Sequence, residues 1–296
     1  MNGKKILNRL IGLFLVINVV LVIANYVNKG NEYVLSQERI DNIITRLEQK
    51  GIQIETELIQ DYSPKYRANV LFRGDNVTIR DQVAKKFFGN NFGHVKRSTT
   101  PSKESKNRSI LYYTYDEETL AFNHTKLTYQ NEEIEMEGMR PSLDYAKSMC
   151  DQLITRIHPQ GQTLTYHVTE EAYNTYWKLT YYPLINEIPL LDSYMEFIVA
   201  NSGVMKADMY LAEVEVQKNS KQAIYAVDLV LFGIEDYMLE NGYTNIKDIE
   251  ICYKYEQGKE NVLGQAIIPM YKITIDGLEE AIYVNAYTNK MLEYHA

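Results

Sequence analysis

The hydrophobic pattern of the chain changes period several times, and its longest apolar run comes first. Residues 10–27 include no charged side chain, and up to Ala24 only Gly12 and Asn18 interrupt the apolar positions. A helix over this run would span roughly 27 Å, the reach of a thin bilayer, so residues 10–27 are expected to form a transmembrane helix. Lys4, Lys5 and Arg9 precede the run and Lys29 follows it. By the positive-inside rule this puts residues 1–9 in the cytoplasm and the body of the chain outside it. A cleaved signal peptide competes with this reading, because Val22, Ile23 and Ala24 offer a cleavage-like pattern. Asn18 lies at mid-span, too deep for its amide to reach water. It is expected either to hydrogen-bond a partner's transmembrane helix or to be tolerated there at modest cost.

After the run, the period alternates between helix and strand. Ser36 can cap a helix to Lys50 with Ile40, Ile43, Ile44 and Leu47 on one face, and Gly51 ends it. Ile52, Ile54, Thr56 and Leu58 alternate as a strand. A short helix is expected over 78–88, then strands over 110–115, 119–122 and 126–130 joined by tight turns. Residues 31–138 are expected to form one α+β domain.

Residues 139–296 repeat a pattern. A helix over 142–157 has Leu143, Ala146, Cys150, Leu153, Ile154 and Ile157 on one face, and strands follow over 163–169, 173–182, 192–200 and 204–214. A second helix over 220–240 is followed by strands over 246–255, 266–275, 280–287 and 290–294. Each unit supplies one apolar helix stripe and one alternating sheet face. The expected fold class is therefore α+β, with one N-terminal transmembrane helix followed by repeated units of a helix packed on a curved antiparallel sheet.

Composition agrees with a sheet-rich body: there are 25 Tyr against 8 Phe and 1 Trp, and a ring with a polar tip suits strands that are half buried and half wet. Charge narrows the partners. The net charge is −8, but residues 1–30 carry four basic residues and no acid, so the other 27 basic residues face all 39 acidic ones. A body this acidic repels phosphate backbones, which argues against nucleic acid as a partner. Residues 96–108, with Lys96, Arg97, Lys103, Lys106 and Arg108 against Glu104, read as a solvated loop or as a contact for an acidic partner.

Candidate chemistry is sparse. His94, His124, His158, His167 and His295 make no His-Glu-x-x-His pair, and no nucleophile elbow, phosphate loop or dinucleotide fingerprint is present. Glu170 and Glu171 are adjacent, so on a strand they point to opposite faces rather than forming a carboxylate pair. With only Cys150 and Cys252, no disulfide framework or zinc ribbon can be built; one bridge or two free thiols both fit. No catalytic residue, metal or cofactor is expected.

Three stretches resemble a known family. Residues 188–194, Ile-Pro-Leu-Leu-Asp-Ser-Tyr, lead into a strand, an Asn-x-Gly turn and a returning strand over 196–204. The segment Phe14-Leu15-Val16-Ile17-Asn18-Val19 is similar to a membrane segment that carries an Asn, and residues 281–291 are similar to a PepSY-like strand pair. Together they resemble the YycI family of membrane-anchored regulators. The resemblance implies a non-enzymatic protein at the cell membrane that modulates a sensor histidine kinase of a cell-wall-linked two-component system. It also implies a YycH-like protein as a second partner, with contacts made through the membrane helix, Asn18 included, and the extracytoplasmic domain. The competing classes are an anchored extracytoplasmic enzyme, a cell-wall-binding module and a PepSY-like protease inhibitor.

Overall fold

The computed structural model describes residues 11–23, 32–72, 77–102, 109–123, 126–157, 165–210, 212–217, 219–261 and 264–292. The helices are α1 (11–23), α2 (Gln37–Gln49), α3 (Val77–Phe88), α4 (Leu143–Ile157) and α5 (Val227–Glu240), with a 3-10 segment at Gly89–His94. The first strands are β1 (Gln53–Ile54), β2 (Ala68–Phe72), β3 (Lys96–Pro101), β4 (Ser109–Tyr115), β5 (Glu118–Asn123) and β6 (Lys126–Asn131). Then come β7 (Tyr166–Ala172), β8 (Trp177–Ile185), β9 (Ile188–Pro189), β10 (Met195–Ala200), β11 (Gly203–Tyr210) and β12 (Ala212–Val216). The last are β13 (Asn245–Asn261), β14 (Gly264–Ile275), β15 (Ile282–Asn285) and β16 (Lys290–Met291).

Two compact units emerge. Unit 1 holds residues 1–65, 221–250 and 271–296, and unit 2 holds 66–220 and 251–270. The boundary expected at 138/139 lies inside unit 2, between a strand and a helix of the same core.

Unit 2 is built on a nine-stranded sheet in the order β3-β4-β5-β6-β11-β10-β8-β7, with β9 on β8. Alternate residues of its strands, among them Leu120, Phe122, Leu127, Tyr129, Phe197, Val199, Ala207 and Met209, fall on one buried face because strand side chains alternate with period two. Phe87 and Phe88 of α3 and Ala146, Cys150, Leu153 and Ile157 of α4 complete that core. The turn into β11 places Gly203 at φ +140, where an added Cβ would meet Ile134 Cδ1 at 3.2 Å. A smaller core gathers Ala68, Val70, Ile185, Leu190, Tyr253 and Ile267, where β2 pairs with β12 and with β14.

Unit 1 joins α2 and α5 to β1, residues 245–250 of β13, residues 271–275 of β14, and β15 with β16. Ser36 caps α2 as expected: its hydroxyl accepts from the Arg39 amide at 3.4 Å, and Gly51 ends the helix at φ +80. Ile40, Ile43 and Leu47 are its buried face. Helix α5 starts at Val227, later than the apolar period indicates. Tertiary bonds hold the preceding residues extended: Lys65 bridges Gln222, and the Tyr225 amide donates to Ala286 at 2.8 Å.

Three expectations are corrected. Among the described residues, no helix is long and apolar enough to cross a membrane. The described part of α1, thirteen residues at 11–23, spans roughly 20 Å, short of a hydrocarbon core of about 30 Å; residues 10 and 24–27 lie outside the description. The repeated helix-on-sheet units do not form either. Strands of the first expected domain (β3–β6) and of the first expected repeat (β7, β8, β10, β11) share one sheet, joined where β6 pairs antiparallel with β11 from Gln130↔Lys206 to Lys126↔Tyr210. Pairing these strands closes two edges that would otherwise stay open. Finally, residues 96–101 of the basic stretch form edge strand β3 on β4; residues 103–108 lie outside the description. Exposed charge and a closing proline are ordinary protections for such an edge.

Candidate interaction surfaces

Helix α1 carries Ile11, Leu13, Phe14, Leu15, Val16, Ile17, Val19, Val20, Leu21, Val22 and Ile23, each between 47% and 68% exposed. The apolar surface runs around the whole helix, so no single face is turned to a core. Asn18 lies within it, and its amide donates to the Phe14 carbonyl at 2.8 Å, one turn earlier on the same helix. The donor expected to seek a partner is thus engaged locally, a common fate for a short amide on a helix.

The other candidate residues are scattered. His94 ends the 3-10 segment and His167 lies in β7; His124, His158 and His295 are outside the described residues. Among the described residues, no group of three His, Cys, Asp or Glu is placed to hold a metal ion. Cys150 and Cys252 are both buried, and neither forms a disulfide. Burial raises the Cys150 thiol well above its ordinary range, outweighing the opposing effect of a bond with Tyr181. Glu170 pairs with Lys147 at 2.5 Å and Glu171 with Lys178 at 3.2 Å, so the adjacent acids serve different ion pairs.

Two arrangements escape sequence reading. In unit 1, α2 and α5 face each other through an ion-pair ladder. Arg39 grips Asp228 with two bonds of 2.8 Å, Arg46 donates to Glu235 at 2.8 Å, and Lys50 stands 3.8 Å from the same carboxylate. The acids are only 5% and 4% exposed. The Arg46 guanidinium also lies over the Phe232 ring, 4.7 Å from its centre. Both helices repeat their partner residue after seven positions, two helical turns, which brings the rungs into register.

In unit 2, the sheet face away from α3 and α4 carries an aromatic row. His167 and Tyr182 are cross-strand partners with ring centres 6.4 Å apart; Tyr182 and Tyr194 are 6.0 Å apart, and Tyr194 and Tyr210 5.3 Å. Asp208 stands beside the row, accepting from Thr128 at 2.9 Å and paired with Lys126 and Lys206 at 3.3 and 3.2 Å. Partial burial works to raise the Asp208 carboxyl, but Thr128 and the two lysines outweigh it and hold the carboxyl below its ordinary range.

No protein-family model matches the sequence, and no curated protein does. Among solved structures, the chain is similar to an uncharacterized protein from Eubacterium rectale ATCC 33656 at 10% identity and a TM-score of 0.53, covering 82% of this chain and 90% of that one. It is also similar to the Bacillus megaterium YpeB C-terminal domain at 12% identity and a TM-score of 0.37, covering 74% of this chain and 98% of that one. The first likeness shows a shared fold and nothing further. The second is too distant to carry an argument.

Proposed function

We propose that the protein is a non-enzymatic regulator that works by protein contact at the cell membrane, with a sensor histidine kinase and a YycH-like protein as its partners. The partners rest on the YycI resemblance of residues 14–19, 188–204 and 281–291. The observation that carries the contact reading is α1. Eleven large apolar side chains, each about half exposed or more, cannot stay in water without a cover, and a patch of this kind marks an interaction with membrane or protein. In this reading the apolar surface of α1 is covered by a partner protein at the membrane, with the two units on the extracytoplasmic side.

The test is a photo-crosslinking residue at Leu15 or Val19 of the full chain in its native cell. The reading expects an adduct with a sensor kinase, and one that disappears when the residues of 11–23 around the photo-crosslinking position, that position kept, are replaced by those of an unrelated apolar helix. Adducts with lipid alone would refute it. The His167–Tyr182–Tyr194–Tyr210 row favours a second reading, a cell-wall-binding module whose rings stack on glycan. Retention on purified peptidoglycan that Tyr194→Ala abolishes would favour that module over the regulator.

A further inference from the structure

Strand β3 is the outer strand of the nine-stranded sheet of unit 2. Among the described residues it pairs with β4 alone, and all six of its residues are exposed. Every second residue of such a strand turns its backbone N–H and C=O away from the sheet, so one side of β3 is an unfilled row of donors and acceptors.

The surroundings of this edge are opposite in charge to the rest of the body. Residues 77–102 hold Arg80, Lys85, Lys86, Lys96 and Arg97 against Asp81, in a body of 27 basic and 39 acidic residues. Lys96 and Arg97 are consecutive, so they flank the edge on opposite faces of the sheet. Arg97 is held in place: its guanidinium is 3.6 Å from Asp81 and lies over the Phe92 and Tyr113 rings, 5.1 and 5.3 Å from their centres. Its side chain is still 48% exposed, and it shares Asp81 with the Tyr113 hydroxyl, which donates to that carboxylate. Lys85 follows Asp81 by one turn of α3. Neither Lys85 nor Lys96 has an ion-pair partner among the described residues.

Edge and charge together define the occupant. A second copy of β3 fills the row poorly. Parallel, it sets Lys96 and Arg97 against their own copies, and like charges across a strand pair are destabilising. Antiparallel about its centre, it sets Lys96 against Pro101, which has no N–H to give, and it offers no acid to any of the cations. Lipid headgroups and free polyanions match the charge but bring no backbone to the row of amides. We infer that the open edge of β3 docks an extended acidic segment of a partner protein, which adds to the sheet as a further strand. Main-chain bonds then supply affinity, and Lys85, Lys96 and Arg97 select the acidic sequence. This rests on the regulator reading above and gives it a contact surface outside α1.

The experiment places a photo-crosslinking residue at Ser98 or Thr99 of the full chain, in its native cell, and sequences the captured peptide by mass spectrometry. The expected adduct is one foreign segment with acidic residues around the crosslinked position and no proline among them. Lys85→Glu/Lys96→Glu should lower its yield at least about ten-fold. Far-UV circular dichroism verifies that this variant folds, which two exposed positions should not disturb. The captured segment is then synthesised and titrated against the full chain. Methylating one of its two alternate sets of amides should weaken binding at least about ten-fold, and methylating the other should not. Adducts with lipid or with a second copy, a segment without acids, no adduct, a yield indifferent to the charge reversal, or a peptide indifferent to both methylations would each overturn the proposal. The α1 crosslinks are scored separately. If they reach a kinase while Ser98 and Thr99 capture nothing, the edge fails and the regulator reading stands. If α1 reaches only lipid while Thr99 captures an acidic strand, that reading is refuted and the edge stands.

Discussion

The ladder between α2 and α5 predicts an asymmetric response to mutation. Asp228 is 5% exposed, and its carboxylate takes two 2.8 Å bonds from Arg39 and one of 2.9 Å from the Leu229 amide. Arg39→Met removes the cation and leaves the acid buried. Breaking a buried pair in this way costs about 3–5 kcal/mol, but the Arg39 side chain is 39% exposed, so water can reach the vacated site and about 2–3 kcal/mol is expected. Asp228→Asn is milder: it frees an arginine that can turn to solvent, at about 1 kcal/mol for the lost bonds. The double variant Arg39→Met/Asp228→Leu leaves no orphan charge and should lie within about 1 kcal/mol of the parent. Urea unfolding of the full chain, followed by hydrogen exchange in peptides covering α2 and α5, separates this transition from that of unit 2. An Arg39→Met cost below about 0.5 kcal/mol, or a double variant that loses as much as the two single variants combined, would show that Asp228 does not depend on its arginine.

The remaining predictions address unit 2. Because burial keeps the Cys150 thiol protonated, a thiol reagent at pH 8 should modify neither cysteine in the native protein and both in strong denaturant; rapid native labelling of Cys150 would contradict its packing. The depressed Asp208 carboxyl contributes stability that is present above its unfolded pKa of about 4 and lost as pH falls through the lower folded value. Asp208→Asn should therefore flatten the loss of stability below about pH 4, as read by urea titrations at several pH values, and an unchanged slope would remove Asp208 from the balance. Gly203→Ala meets both an unfavourable φ of +140 and the Ile134 side chain at 3.2 Å. It should cost about 1–3 kcal/mol, and a neutral result in thermal unfolding would show that the turn relaxes.

Local physics makes α2 legible in the sequence alone. Its cap, its apolar stripe and its terminating glycine all lie within sixteen consecutive positions, 36–51, and no tertiary bond contradicts them. The start of α5 is not legible, for the opposite reason: Tyr225 donates to Ala286 and accepts from Tyr271, and those distant partners override the local apolar period. The sheets are harder still. The alternating strands of β5, β6, β10 and β11 each announce a buried face, but nothing in β6 names β11 as its neighbour. A strand edge is the same row of backbone donors and acceptors whatever the sequence, so register emerges only when the apolar faces are assembled. The ion-pair ladder lies between these cases. Arg39 and Arg46, like Asp228 and Glu235, are seven residues apart, and two acids on the apolar side of a helix as hydrophobic as α5 demand cations beside them. That demand is written in the sequence. Which helix answers it is not, since the answering arginine is 189 residues away.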